Sequence, residues 1–401
     1  MSEGFTTRLD GMHAQRRAML AGLGGFAAGS LLARGASAGP LSPPPGPVAW
    51  TPGPEPRIAL NQTNTPGNAG ATFRITQPGS YYLEGNLFGE PGKRGIEIAA
   101  SDVTIDLRGF AMLGGGSLDG IATSGNRINI TIRNGIVRNW GGDGVNLVAG
   151  GGEGDGALLE HLHLRVNDGA GLRLGNSSIV RNCIAEGNQD IGILASERSV
   201  ITGCIANDNA LWGIIVNGVG SVVRECVASR NRSLAGIQSG GVVEDCVAFL
   251  NDTVGISGTS AIVSRCVAQS NAQDGIITGQ GSIIGCRAIG NSGFGIRVTK
   301  DSVVTECYCA ENASGDIRAL QGYNRIDGNQ CRSATQGIVV EGTRNLILRN
   351  ACFAGASSYV IAADNRYGPI VDVSAPGSPA VSGASAPATI GTAHPWANLT
   401  H

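Results

Sequence analysis

The chain has 401 residues, 42% of them apolar, which is enough to build a long core and excludes a disordered polymer. Its 29 basic side chains are balanced by 31 acidic ones, so no whole-chain field attracts nucleic acid or an anionic membrane. With 63 glycines and only two lysines, Lys93 and Lys300, it is not composed like a helical protein, since Gly costs about 1 kcal/mol against Ala inside a helix.

Residues 1–38 read as an address. The stretch AQRRAMLAGLGGFAAGSLLARGASAG has paired Arg16 and Arg17, a Gly/Ala/Leu run too short to span a bilayer comfortably, and Ala36-Ser37-Ala38 as a small-residue cleavage site. It resembles a twin-arginine export signal of bacteria, which implies a periplasmic or extracellular protein with no membrane span once the signal is removed. Residues 39–57, GPLSPPPGPVAWTPGPEPR, hold 8 of the 16 prolines and read as a stiff linker.

From residue 58 to 368 the chain repeats itself. Looser units come first: GIEIAASDVTIDLRGFAML, DGIATSGNRINITIRNGIVRNW and DGVNLVAGGGEGDGALLEHLHLRVN. The regular part follows, with Cys183, Cys204, Cys226, Cys246, Cys266, Cys286 and Cys307 spaced by 20 to 22 residues. Asn188, Asn209, Asn231, Asn251, Asn271, Asn291 and Asn312 trail each of them by five, and a Gly-Ile pair opens the next apolar run. Three short strands per period of about 21 fit a chain that winds as a coil, each coil stacked on the last. A leucine-rich horseshoe shares the period but needs LxxLxL and a helical return, which the recurrent Gly interrupts.

These residues resemble the right-handed parallel β-helix proteins, the superfamily of pectate lyases and polygalacturonases. The resemblance implies an all-β, single-stranded parallel solenoid of about twelve coils, its hand supported by the rule that parallel crossovers are right-handed. In that superfamily an inward Asn often follows one bend. Here the Cys column takes that place, and its register continues as Asn329 and Asn350, while Cys309, Cys331 and Cys352 fall two residues further on. Stacked strands about 4.8 Å apart are within disulfide reach, but parallel in-register side chains suit the dihedral badly, so free, buried thiols packing as small hydrophobes are expected. The sequons at Asn231, Asn251 and Asn312 then read as internal ladder positions. Residues 369–401, rich in Ala, Ser, Gly and Pro, form a C-terminal tail.

Alternation turns one residue of each Gly-Ile strand outward: Glu97, Ala122, Asn146, Arg173, Leu194, Ile215, Gln238, Ser257, Ile277, Arg297, Arg318 and Val339. The turn before that strand presents Trp140, Asp143, Asp168, Asp190, Trp212, Asp252, Asp274 and Phe294. In the resembling enzymes the substrate groove lies along this strand, so these residues are the candidate site for an extracellular polysaccharide. A lyase acting on uronic-acid glycans would use Arg173 with Asp143, Asp168 and Asp190, the acids Asp143 and Asp168 being candidate ligands for Ca²⁺. Trp140, Asn146, Trp212 and the basic set Arg297, Lys300 and Arg318 would bind substrate. A glycoside hydrolase would use paired aspartates, although the polygalacturonase Gly-His and Arg-x-Lys elements are absent. A non-catalytic carbohydrate-binding or structural surface protein is the third reading, because Asp and Asn favour tight turns without any chemistry. The Gly-rich segment 148–157, with Glu153 and Asp155, reads as a flap beside this face. An outward aliphatic stripe, Ile184, Ile205, Val227, Val247 and Val267, suggests cover by the tail or by a second copy in a homo-oligomer.

Overall fold

The computed structural model describes residues 57–116, 118–148, 155–372 and 394–400, so residues 1–56, Glu153 and most of the tail lie outside the described residues. Every regular element among the described residues is a strand. One 15-stranded sheet runs from Pro66–Asn68 to Ser357–Ile361, and its members pair in parallel except Pro66–Asn68, which lies antiparallel against Ala71–Ile75. Fifteen strands less that one give 14 turns, rather than the twelve expected. The two extra turns carry Ala71–Ile75 (ATFRI) and Ser357–Ile361 (SSYVI), where Phe73 and Tyr359 take the place of the Ile, Val or Leu of the others. A 28-stranded sheet wraps the other two faces.

The corner within that larger sheet turns on a single residue of positive φ. Between Ile179–Arg181 and Ile184–Glu186 the chain passes through Asn182 at φ 51°, and the stacked corners Glu225, Asp245 and Arg265 lie at 54°, 52° and 52°. A single left-handed residue between extended ones bends the strand sharply and leaves the next side chain, the cysteine, pointing inward. One coil therefore buries Val180, Cys183, Ala185, Asn188, Ile193, Ala195 and Ser199 completely. Copies of that list stacked in register make the core.

Polar positions inside the coil form ladders. From Asn167 through Asn188, Asn209, Asn231, Asn251, Asn271 and Asn291 to Asn312, each Nδ2 donates to the Oδ1 of the next amide at 2.9 to 3.1 Å. The second Nδ2 hydrogen goes to a backbone carbonyl, as from Asn209 to Ala185 O at 3.1 Å. The Oδ1 also accepts the backbone N–H of the preceding Asn, as Asn231 does from Asn209 at 3.2 Å. No capacity of the amide is left over, which is what burial of a polar side chain requires. The three sequon asparagines are members of this ladder and at most 1% exposed.

All ten cysteines are buried and free. The sulfurs sit on carbonyls, as Cys226 Sγ does on Arg224 O at 3.1 Å, and Cys246 N–H points to Cys266 Sγ at 3.5 Å. After Cys307 the same column becomes amide: Cys307 N–H donates to Asn329 Oδ1 at 2.9 Å, and Asn329 N–H to Asn350 Oδ1 at 3.0 Å. Sulfur thus stands in the Asn register as a weak acceptor and a good space-filler. Burial pushes the Cys309 and Cys331 thiols well above their usual range, so they remain protonated.

A further column was not read from the sequence. Ser178 and Ser199 donate their N–H groups to the hydroxyls of Ser199 and Ser221, and further along Ser302, Asn324 and Asn345 donate to Asn324, Asn345 and Asn365. At the C-terminal end, Asn398–Thr400 lies in parallel between Ala351–Ala354 and Ile370–Asp372, so both ends of the segment expected as a tail are strands of the solenoid. The stripe Ile184, Ile205, Val227, Val247 and Val267 stacks in register, each side chain half-buried.

Candidate functional site

The outer row of the 15-stranded sheet is in the register expected from alternation. Cα partners run Arg74, Glu97, Ala122, Asn146, Arg173, Leu194, Ile215, Gln238, Ser257, Ile277, Arg297, Arg318 and Val339. Charges occupy the two ends of the row, and the middle from Leu194 to Ile277 is neutral. The Gly preceding each inward Ile is fixed from below: a Cβ at Gly192 would stand 2.7 Å from Asn209 Nδ2 and 2.5 Å from Gly213 O.

Asp143, Arg173 and Asp190 come together. Arg173 Nε donates to Asp143 Oδ2 at 2.7 Å, and its Nη2 donates to Asp190 Oδ2 at 2.8 Å. Asp143 is only 6% exposed, and its remaining capacity is taken by Ala170 N–H at 2.6 Å and Asn146 Nδ2 at 2.8 Å. The two acids keep the Arg173 guanidinium charged, the Asp143 hydrogen bond being the largest contribution. Asp168, in contrast, is exposed on its turn. Arg173, Asn146 and a backbone N–H therefore hold the Asp143 oxygens, and this donor set does not fit the Ca²⁺ expected from Asp143 and Asp168. Among the described residues no group of three or more His, Cys, Asp or Glu is placed to hold a metal ion.

The same arrangement recurs six coils further along. Asp274 Oδ1 accepts Phe294 N–H at 2.7 Å while its Oδ2 pairs with Arg297 Nε at 2.6 Å. In both places the residue before the donating N–H of the next coil is Gly, Gly169 or Gly293, where a Cβ would press on the carboxylate. Asp119 repeats half of it, accepting Asp143 N–H at 2.8 Å above Gly142, and burial pushes its carboxyl up. Sequence reasoning passed over Asp119, although its Asp-Gly-Ile signature matches that of Asp274. The other members of the basic set are also engaged: Arg318 pairs with Glu341 at 2.7 Å and lies 5.2 Å from the Phe294 ring centroid, and exposed Lys300 lies 4.0 Å from Asp301.

Trp140 is not on this surface, contrary to the expectation of a substrate platform. It occupies the Asn column itself one coil before Asn167, whose Oδ1 accepts the Trp140 N–H at 3.2 Å. The ring is 1% exposed, its Nε1 donates to Met112 O at 3.3 Å, and Gly89, Gly95 and Gly120 leave room for it. Trp212 does reach the outside. Half-buried, it packs with Leu194, Leu211, Ile191, Ile215 and Ala170 into a small cluster on the outer face, separate from the core. Its Nε1 donates to Gln238 Oε1 at 2.9 Å. Of the two histidines in LEHLHL, His163 lies 3.3 Å from Glu186 and His161 lies 3.4 Å from Asn182, on a different face.

The family described as right handed beta helix region matches residues 115–257 and 170–303. A search of curated proteins gave no match. Among solved structures, the A-module of the mannuronan C-5 epimerase AlgE4 of Azotobacter vinelandii is similar over 72% of this chain and 90% of its own, at 17% identity and a TM-score of 0.44. The A-module of AlgE6 from the same organism covers 72% and 89% at 14% identity and a TM-score of 0.47. PfbA, a surface adhesin of Streptococcus pneumoniae, covers 70% and 82% at 8% identity and a TM-score of 0.30. The stacked register and the family match together make this chain a right-handed parallel β-helix repeat protein.

Proposed function

We propose that the protein is exported and engages an extracellular polysaccharide along the outer face of the 15-stranded sheet, as a binder rather than a catalyst. The observation that carries this reading is the division of the outer row into clamped charges at its ends and a neutral middle bearing Trp212. An indole beside amide and hydroxyl groups is what the alternating apolar and polar faces of a sugar require. A lyase needs a base free to take a proton and a cation free to neutralise a carboxylate. Asp143 and Arg173 offer neither, since they are committed to each other, and the repetition at Asp274 and Arg297 supports a role in joining coils. The same commitment of Asp143 and Asp190 to one guanidinium counts against the hydrolase, which needs one acid protonated and one free.

The resemblance of residues 1–38 to an export signal supports the location, and no helix among the described residues is long and apolar enough to cross a membrane. The purified protein should be retarded in affinity electrophoresis through gels containing one or more of a panel of neutral and acidic polysaccharides. Trp212→Ala should weaken that retention about tenfold, in line with the loss of one stacked ring worth about 1 kcal/mol or more. Appearance of ultraviolet absorbance from an unsaturated uronide, abolished by Asp143→Ala in a folded protein, would replace this reading with the lyase.

A further inference from the structure

The connections after the strands of the 15-stranded sheet differ in length from coil to coil. Five residues separate Val216 from Val222, two separate Ser239 from Val242, and three separate Gly258 from Ile262. The middle coil is therefore cut short between two taller neighbours. The result is an open notch of about 390 Å³, with Gly240 and Gln238 on its floor. Asn217 and Val219 stand on one side, and Thr259 and Ser260 on the other, with Ser257 beside them. Two rung spacings set its width at about 10 Å, the scale of a single sugar ring. The floor cannot rise, because a Cβ at Gly240 would stand 2.9 Å from Gly218 O.

The lining contains no ionisable side chain. It offers hydroxyls, amides and backbone groups, each able both to donate and to accept. Gln238 links the notch to the indole: its Oε1 is taken by Trp212 Nε1, which turns the amide so that Nε2 is left as a donor. The nearest cation, Arg198, lies one coil before Val219, but it pairs with Glu197 at 3.4 Å and reaches back to Ser177 Oγ at 3.5 Å, away from the notch. Those of the outer row, Arg173 and Arg297, are several strands off and already paired with Asp143 and Asp274. A uronate carboxylate entering this notch would lose water without gaining a counter-charge, whereas a neutral sugar would exchange hydrogen bonds for hydrogen bonds.

Resting on the proposed engagement of polysaccharide, we infer that the notch at Gln238 and Gly240, with Trp212 beside it, is a subsite for one residue of a neutral hexose polymer. The test titrates the full chain with neutral hexaoses of glucose and of mannose, and with oligogalacturonate and oligomannuronate of equal length, following tryptophan fluorescence and heat. A neutral oligosaccharide should bind at least tenfold more tightly than either uronate. Gln238→Leu should lower that affinity at least tenfold with an unchanged melting profile, because Ile215 and Ile277 show that the same outward row accepts branched aliphatic residues. Preference for a uronate would overturn the neutral subsite while leaving polysaccharide engagement standing. Binding of a neutral hexaose unaffected by Gln238→Leu would overturn its location. Failure of all four oligosaccharides, together with no retention on any polysaccharide, would remove the parent reading as well.

Discussion

At the scale of single residues, the instructive position is the one where the pattern breaks. Gly295 is dictated by the coil beneath it, where a Cβ would stand 2.6 Å from Asn312 Nδ2. One coil on, the stacked position is Asp316, and the coil beneath it brings Ser333 instead of another ladder Asn. The freed space accepts a carboxylate. Its Oδ1 takes the Asn312 Nδ2 hydrogen at 2.8 Å, supplying the acceptor that the next amide would have provided and closing the ladder. Burial pushes the Asp316 carboxyl up from 3.8 to about 6, with the Asn312 bond opposing the shift. An acid whose folded pKa is raised binds its proton more tightly in the folded state. Its stabilising contribution is therefore complete below about pH 4 and lost as pH rises through about 6. Two pKa units correspond to about 3 kcal/mol. Asp316→Asn keeps the acceptor without the charge, so it should remove this slope. Urea midpoints at pH 4.5 and 7.5 should converge in the variant and diverge in the parent; equal divergence in both would show that Asp316 titrates normally.

At the scale of the element, the strand Asn398–Thr400 is the unusual one, because it enters the sheet between rungs that are nearer to each other in sequence. Asn398 makes it a continuation of the column that began as cysteine: its Oδ1 accepts Asn350 N–H at 3.0 Å and Asn350 Nδ2 at 3.1 Å. Leu399 N–H bonds Asn350 O, Tyr359 OH bonds both Asn350 O and Leu399 O, and Arg349 lies over the Trp396 ring while paired with Asp327. A solenoid needs its terminal edge covered, since an open edge pairs with whatever strand is near. Deleting residues 394–401 should lower stability by about 3 kcal/mol, roughly three net hydrogen bonds. It should also produce concentration-dependent light scattering, whereas Asn398→Ala should cost stability alone. A truncated chain as stable and as monodisperse as the parent would show the strand to be an appendage.

At the scale of the whole molecule, what was legible in the sequence followed from the physics of stacking. A side chain that must meet its copy every coil keeps its spacing, so the Cys and Asn columns, the Gly-Ile pairs and the outer row could all be read by counting. The column that passes from Ser178 and Ser221 through Gly241, Ala261 and Gly281 to Asn324 and Asn365 was missed, because no run of one residue type marks it. Trp140 was misplaced because the Gly-rich segment after Leu147 stretches its distance to Asn167, which hides that both belong to one column. The notch escaped notice because it arises from a difference between turn lengths, to which no single motif points. The same physics makes a demanding prediction. If stability is a sum over identical neighbour contacts, then excising residues 246–265, one full period, joins Asp245 to Cys266 and places Val267 on Val227, Asn271 on Asn231 and Ile276 on Ile237. Every column survives, and thirteen coils should melt cooperatively, with far-ultraviolet dichroism per residue unchanged. Excising residues 246–255 removes half a period, sets strands against corners and turns inward side chains outward, so that chain should not fold. Equal tolerance of both deletions would mean that coil register does not hold the molecule together, and loss of folding in both would mean that the coils are not interchangeable.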